Sequence, residues 1–481
     1  MITFIASIIL LILGYFIYGR IVEKSFGASD DIPTPVQTLK DGIDYVELPL
    51  WKIFMIQLLN IAGLGPIFGA VLGARYGTAS YLWIVLGCIF MGAVHDYFSG
   101  MLSLRHEGKS IPEFTQKYMG SWARHLTRGI TFFLLILVGA AFVNGPAGLL
   151  ATLTPNVITV SGWVAIIMLY YIAATLLPID KIIGMIYPVF GAALLIMAFG
   201  IGGYMLLGPV HLVELSADTF KNYYTNPSEN ILFPMMFIVI SCGAISGFHS
   251  TQSPLMARCL KKESHGRPAF YGAMIAEGII AIIWATAAIN YFGGPDKLNE
   301  MMNMPNHNPA WAVNEICNSW LGKTGAVLAL IGVVACPITT GDTAFRSARL
   351  LVADIFKIDQ KTLLKRTLIS LPLFIIGFGL SRVDFTMIWK YLGLLNQLLG
   401  VLILWVCSIY LAKKQQSHWI LSIPAALLTV VVASYFIVAP ISQGGLFLST
   451  DIGYPVGVVA GVASIISFAI FAKKIKAQTN N

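Results

Sequence analysis

Apolar runs, each close to the roughly 20 residues that carry a helix across a hydrocarbon core, follow one another along the whole chain. They cover 2–19, 52–74, 79–103, 129–151, 160–178, 182–207, 231–256, 269–292, 324–345, 367–381, 384–412, 418–439 and 454–472. Numbered as spans 1 to 13, they predict an all-α polytopic membrane protein with about 13 transmembrane helices, in a single membrane domain over 1–481. Span 10 is short, and Lys390 and Asn396 interrupt span 11. The first run has no basic segment before it and no small-residue cleavage site, which predicts a retained span rather than a signal peptide. Most connections are short. The exceptions, 208–230 and 293–323, are polar and predict small caps outside the membrane.

Two of the runs are broken at their centres. LNIAGLGPIFGA (59–70) places Gly63, Gly65 and Pro66 in the middle of span 2, just after Asn60. SCGAISGFHSTQSP (241–254) places Gly243 and Gly247 in span 7, among Ser246, His249, Ser250 and Thr251 and ahead of Pro254. Glycine weakens a helix and proline removes a backbone donor. In hydrocarbon the freed backbone groups must find partners inside the protein. A single break reads equally as a kink or a packing seam. These two, however, stand five spans apart, an odd number, so the halves containing them run in opposite directions. Spans 2–6 (52–207) and spans 7–11 (231–412) read as a five-plus-five inverted repeat, with 413–481 forming two C-terminal helices and a short tail. Paired interruptions at matching positions of two halves point to a transporter binding site. Asn60, Gly63, Gly65, Ser246, Gly247, His249 and Ser250 are therefore the candidate substrate-binding residues. Free N–H groups and half-helix N-termini there favour an anion, and free carbonyls favour a cation.

Composition narrows the reading. Hydrophobic residues make up 57% and charged residues only 11%, against about a quarter charged in soluble domains. A net charge of +8 would suggest nucleic acid in a soluble protein. Here six of the 31 Lys and Arg (Arg75, Lys221, Lys297, Lys323, Arg382 and Lys390) fall on one side of the span pattern and the rest on the other. By the positive-inside rule this predicts a multi-pass protein of the cytoplasmic (inner) membrane, N-terminus outside and C-terminus cytoplasmic. Its surroundings are the lipid bilayer, with no nucleic-acid partner.

Ionisable residues inside spans are costly and therefore point to function. His95 and Asp96 lie together in span 3, Glu277 lies about two turns into span 8, and His249 directly follows the second break. Each is a candidate for ion coupling. Each also has a plainer reading, as a structural pair, a bond between helices or a helix cap. CPITTGDT (336–343) adds Thr339, Thr340 and Asp342, hard oxygen ligands of the kind a small cation prefers. Thr339 and Thr340 are the candidate Na⁺ ligands, while Asp342 can instead pair with Arg346 one turn on. Asn144 in span 4 reads as an amide tying helices together. The six cysteines are scattered without a CxxC, so neither a disulfide nor zinc is supported. No HExxH, GxSxG or Walker A pattern occurs, and the GKS of RHEGKS (105–110) lacks the spaced upstream glycine. The expectation is a non-enzyme with no cofactor beyond a coupling Na⁺ or H⁺. Oligomeric state is not legible in the sequence.

NIAGLGPIFGA (60–70), HDYFSGMLSLRHEGKSIPEF (95–114), ISGFHSTQSP (245–254), FYGAMIAEGIIAI (270–282) and ITTGDTAFRSARLL (338–351) resemble, in this order, stretches of the carbon starvation protein A family. The resemblance implies an inner-membrane transporter tied to nutrient limitation that takes up pyruvate or peptides. It also implies kinship with the amino acid–polyamine–organocation superfamily and its LeuT-like core. Secondary active uptake of a small carboxylate or a peptide, driven by a proton or sodium gradient, is the expected activity. A channel or a non-transporting sensor on the same scaffold is the alternative.

Overall fold

Every expected span has a helical counterpart in the computed structural model, which describes residues 1–40, 45–176, 180–305, 307–358, 360 and 362–479. Nine helices among the described residues are long and apolar enough to cross a bilayer. Span 2 is a tenth, built from Leu50–Ala62 and Gly65–Ala74 bent by 51°. Span 5 is shorter, Val160–Leu176, and the end of its expected range, 177–178, lies outside the described residues. Span 7 is two pieces, Phe237–Val239 preceded by a single turn and His249–Ala257. Span 9 is reached through the outer helix Pro309–Ala329, which kinks at Gly322 (φ 58°, ψ −147°) and leads on to Cys336–Phe356.

Span 11 is an unbroken helix, Phe385–Lys413. The polar residues that interrupted its hydropathy are absorbed by neighbours. Lys390 donates to Asn230 at 3.2 Å, and Asn396 and Gln397 both face span 7. Span 4, Ser121–Leu153, is 33 residues long, about 50 Å at 1.5 Å per residue, and so projects beyond a hydrocarbon core of about 30 Å.

Spans 3 and 8 are buried over most of their length, whereas spans 1, 10 and 13 expose theirs. The broken spans thus pack against an inner pair, and the outer helices show leucine, isoleucine and valine to lipid. Lipid tails are as apolar as these side chains, so close packing and interhelical hydrogen bonds, rather than hydrophobic burial, hold such helices together. Two arginine forks close the ends. At the basic end Arg105 grips Glu263 through Nε and Nη2 (2.8 and 2.9 Å), donates to the Tyr410 hydroxyl and reaches the Gly27 carbonyl, joining spans 1, 3, 8 and 11. At the opposite end Arg75, just past span 2, donates to Asn299 (2.9 Å) and Asn303 (2.6 Å) of the 293–323 cap.

Candidate functional site

The two breaks touch. A Cβ built on Gly65 would lie 2.2 Å from the Cβ of Cys242, so only glycine lets the restart of span 2 press against the unwound stretch of span 7. Gly243 next to it has φ +89°, a left-handed conformation that costs glycine little. On the far side Gly92 of span 3 leaves room for the Ala244 carbonyl, whose oxygen would stand 2.2 Å from any Cβ there. The unwound stretch is therefore wedged between spans 2 and 3.

An unwound segment at this depth must have its backbone groups satisfied, and here side chains of other spans satisfy them. The indoles of Trp389 and Trp83 donate to the carbonyls of Val239 and Ile240 (3.3 and 3.2 Å), where the first half of span 7 ends. Asn396 accepts from the Gly247 N–H through its main-chain carbonyl (3.1 Å) and from the Phe248 N–H through its side-chain oxygen (3.0 Å). Gln397 donates to the carbonyls of Phe237 and Ile245. The expectation of free N–H groups at the second break is corrected accordingly: those of Gly247 and Phe248 belong to Asn396. Ser250 likewise gives its hydroxyl to the Gly247 carbonyl, and the Ser246 hydroxyl accepts from the Cys242 thiol at 3.8 Å.

Directly after the break, four ionisable side chains meet with no solvent exposure. Asp96 of span 3 accepts from Nδ1 of His95 through one oxygen (2.8 Å) and from Nδ1 of His249 through the other (2.8 Å). The second imidazole nitrogen of His249 then faces Glu277 of span 8 at 3.4 Å. Because an ionised carboxylate only accepts, Asp96 fixes Nδ1 of His249 as the protonated nitrogen and leaves Nε2 for Glu277. Among the described residues, neither Glu277 oxygen nor the His95 Nε2 has a hydrogen-bond partner. The site can hold a proton between His249 and Glu277, on a ring that its aspartate keeps from turning. The three candidates that stood apart in the sequence, His95–Asp96, His249 and Glu277, are one cluster.

The remaining candidates lie nearby. Asn60 is buried one turn before the first break, and its Oδ1 has no partner among the described residues. Gln57, one turn earlier, donates to Ser253 of the second half of span 7 at 3.5 Å. The Gly63 position faces the Phe142 ring of span 4. Thr340 donates to the Leu59 carbonyl at 3.4 Å, so the threonine pair does sit against span 2, but a turn before the carbonyls of 61–64 that its cation role would use. Thr339 is buried beside it. Asp342 takes its plainer reading, with one oxygen 3.8 Å from Nη2 of Arg346.

The two ends of the site differ. Toward the 293–323 cap, the ring of Phe68 packs edge-on against Phe385. Together with Asn144, Asn308 and Ala310 these rings leave a cavity of about 30 Å³, room for about one water. Toward the basic end, a cavity of about 140 Å³ runs along the second half of span 7 from Thr251 to Arg258.

The model of the carbon starvation protein CstA family matches residues 1–206 and 157–320. The chain belongs to that family. Its relatives include an uncharacterized membrane protein of Haemophilus influenzae, 42% identical over 63% of this chain and 94% of that protein. The peptide transporter CstA of Bacillus subtilis is 26% identical over 98% of this chain and 96% of its own length. The pyruvate/proton symporter BtsT of Escherichia coli is 27% identical over 59% of this chain and 48% of its own. Among solved structures, a mutant of the Eremococcus coleocola manganese transporter superposes with a TM-score of 0.51 over 91% of this chain and 99% of that one, at 14% identity, which is a likeness of fold.

Sequence reasoning did not select Trp83, Trp389, Asn396 or Gln397 as site residues. The last two carried a signal, since adjacent amides inside a span need partners there as much as charges do. The tryptophans carried none, because indoles are ordinary in membrane helices.

Proposed function

We propose that this chain is a secondary transporter that takes up a small carboxylate such as pyruvate together with protons, by alternating access around the paired breaks. The observation that carries this reading is the solvent-free His95–Asp96–His249–Glu277 cluster at the second break. Ionisable groups at such depth are retained where they relay protons or bind ions. With the His249–Glu277 seat empty of its proton, the uncompensated carboxylate repels an anion at the adjoining break. With the proton bound, that repulsion is gone. Proton and carboxylate then bind together, which is the requirement for symport.

The names of the relatives, a peptide transporter and a pyruvate/proton symporter, support the class. The small carboxylate is preferred over a peptide because a peptide's amine needs an acidic partner, and Asp96 and Glu277 already face His249. The unequal ends support a state open toward the basic face, which the positive-inside rule makes cytoplasmic. Spans 2–6 and 7–11 are the two repeats that rock against each other, and the membrane is the inner one. A sodium-coupled version has one observation in its favour, the approach of Thr340 to the Leu59 carbonyl, where a small cation would find hydroxyl and carbonyl oxygens.

The test is uptake into proteoliposomes of labelled pyruvate and of a labelled dipeptide, with proton and sodium gradients imposed separately. Accumulation of pyruvate under the proton gradient is expected. Dipeptide accumulation alone, or none of either, defeats the proposal.

A further inference from the structure

The cavity at the basic end lies outside the breaks and the buried cluster. Its walls are the second half of span 7 with Thr251 and Arg258, span 4 with Thr131, span 9 with Ser347 and Asp354, and Ser110, which precedes the short helix Ile111–Met119. Thr251 lies two residues beyond His249, and Thr251, Pro254, Leu255 and Arg258 line the cavity along one face of the helix toward the basic end. Its volume of about 140 Å³ suits a few waters or one small organic ion, given about 30 Å³ for each liquid water.

Two of its polar groups have capacity to spare. Arg258 donates Nε to the Gly108 carbonyl at 3.0 Å, and no carboxylate among the described residues lies within ion-pair distance of it. Thr131 is 5% exposed, and its hydroxyl has no hydrogen-bond partner among the described residues. A buried hydroxyl left unpaired is costly, and a ligand oxygen would recover that cost. Asp354 works in the other direction, as a carboxylate on the same wall within electrostatic reach of Arg124, Arg128 and Arg258. Arg258 is the cation and Asp354 the anion among the residues that line the cavity, with Arg124 and Arg128 behind Asp354 and Glu113 near Arg128, and the guanidinium fork of Arg258 matches a two-oxygen acceptor.

We propose that this cavity is a carboxylate-binding subsite on the basic face, in which Arg258 pairs with the anion and the Thr131 hydroxyl donates to it. It deepens the transport reading and rests on it for the ligand: the subsite receives the carboxylate that leaves the breaks and holds it before release. Asp354 keeps that hold weak, as a release site requires.

The experiment is equilibrium binding of radiolabelled pyruvate to the purified full chain in nanodiscs. Arg258→Gln is expected to weaken binding about tenfold or more, the worth of one charge-assisted hydrogen bond. Thr131→Val, which removes only an unpaired hydroxyl, is expected to weaken it about threefold to tenfold with thermal stability kept. Asp354→Asn is expected to tighten it. These opposite signs separate a charge effect from misfolding, and Thr131→Val and Asp354→Asn decide the matter if Arg258→Gln does not fold. Unchanged binding in all folded variants overturns the subsite, and so does the reverse pattern, weaker with Asp354→Asn and tighter with Arg258→Gln, which marks a site for a cation. Wild-type proteoliposomes separate the two readings. Pyruvate accumulation with none of these shifts sinks the subsite and keeps the transporter. Arg258-dependent binding without accumulation under either gradient supports the subsite and sinks the transporter.

Discussion

Replacing Gly65 with alanine sets two effects of opposite sign against each other. Gly65 begins the helical turn that restarts span 2, and by helix propensity alone alanine there is worth up to about 1 kcal/mol of added stability. The contact geometry says the reverse. The new methyl group would stand 2.2 Å from the Cys242 Cβ and 2.7 Å from its Sγ, against an ordinary contact of 3.4 Å or more. The breaks must then separate by about 1 Å, since the Asn396 amide stands 3.9 Å from the Cys242 Sγ and Asn396 and Gln397 hold the backbone on either side of it. Overpacking of this kind costs about 1–3 kcal/mol, and a displacement of about 1 Å at a site can cost about a hundredfold in rate. The expectation for Gly65→Ala is a lower unfolding temperature in detergent and uptake reduced about tenfold to a hundredfold. The clash is with Cys242 Cβ and Sγ only, because its Cα is already 3.6 Å away. Cys242→Gly in the same molecule should therefore restore most of both losses, with a coupling of about 1–3 kcal/mol in a double-mutant cycle. If Gly65→Ala is as stable and as active as the parent, or if Cys242→Gly brings no relief, the two breaks do not press on each other and the site is drawn wrongly.

Three further outcomes are expected. Glu277→Gln should abolish uphill, proton-driven pyruvate accumulation while leaving exchange of labelled for unlabelled substrate, whereas Thr340→Val should remove only a sodium-driven component; proton-driven accumulation by Glu277→Gln at the parental level contradicts the proton seat. Asn396→Ala should lower stability by about 1–3 kcal/mol by leaving the buried Phe248 N–H without its side-chain acceptor, read by thermal unfolding in detergent, and an unchanged unfolding temperature would count against the clasp. In intact cells, a cysteine at Ser449 should react with a membrane-impermeant maleimide and one at Gln415 should not, since both are exposed and lie at opposite ends of span 12; the reverse pattern inverts the topology.

Much of this protein was legible because a bilayer taxes residues one at a time. An apolar run of sufficient length forms a helix whatever its neighbours, since its backbone groups have no other partners, and the spans followed from that. A glycine-and-proline break in such a run, or a buried Asp, His or Glu, is costly at its own position, so spans 2 and 7 and the residues His95, Asp96, His249 and Glu277 stood out before any contact was known. What hydropathy does not carry is the rotation of each helix about its axis and the depth at which one span meets another. Those decided that Asp96 and His249, 153 residues apart, share a bond, that Glu277 closes the chain, and that Asn396 rather than a ligand takes the N–H groups of the second break. They also decided that Asp342 pairs with Arg346. The reason lies in packing: the missing Cβ atoms of Gly65 and Gly92 set how closely the broken segment approaches spans 2 and 3, and that approach determines which polar groups come within hydrogen-bond range.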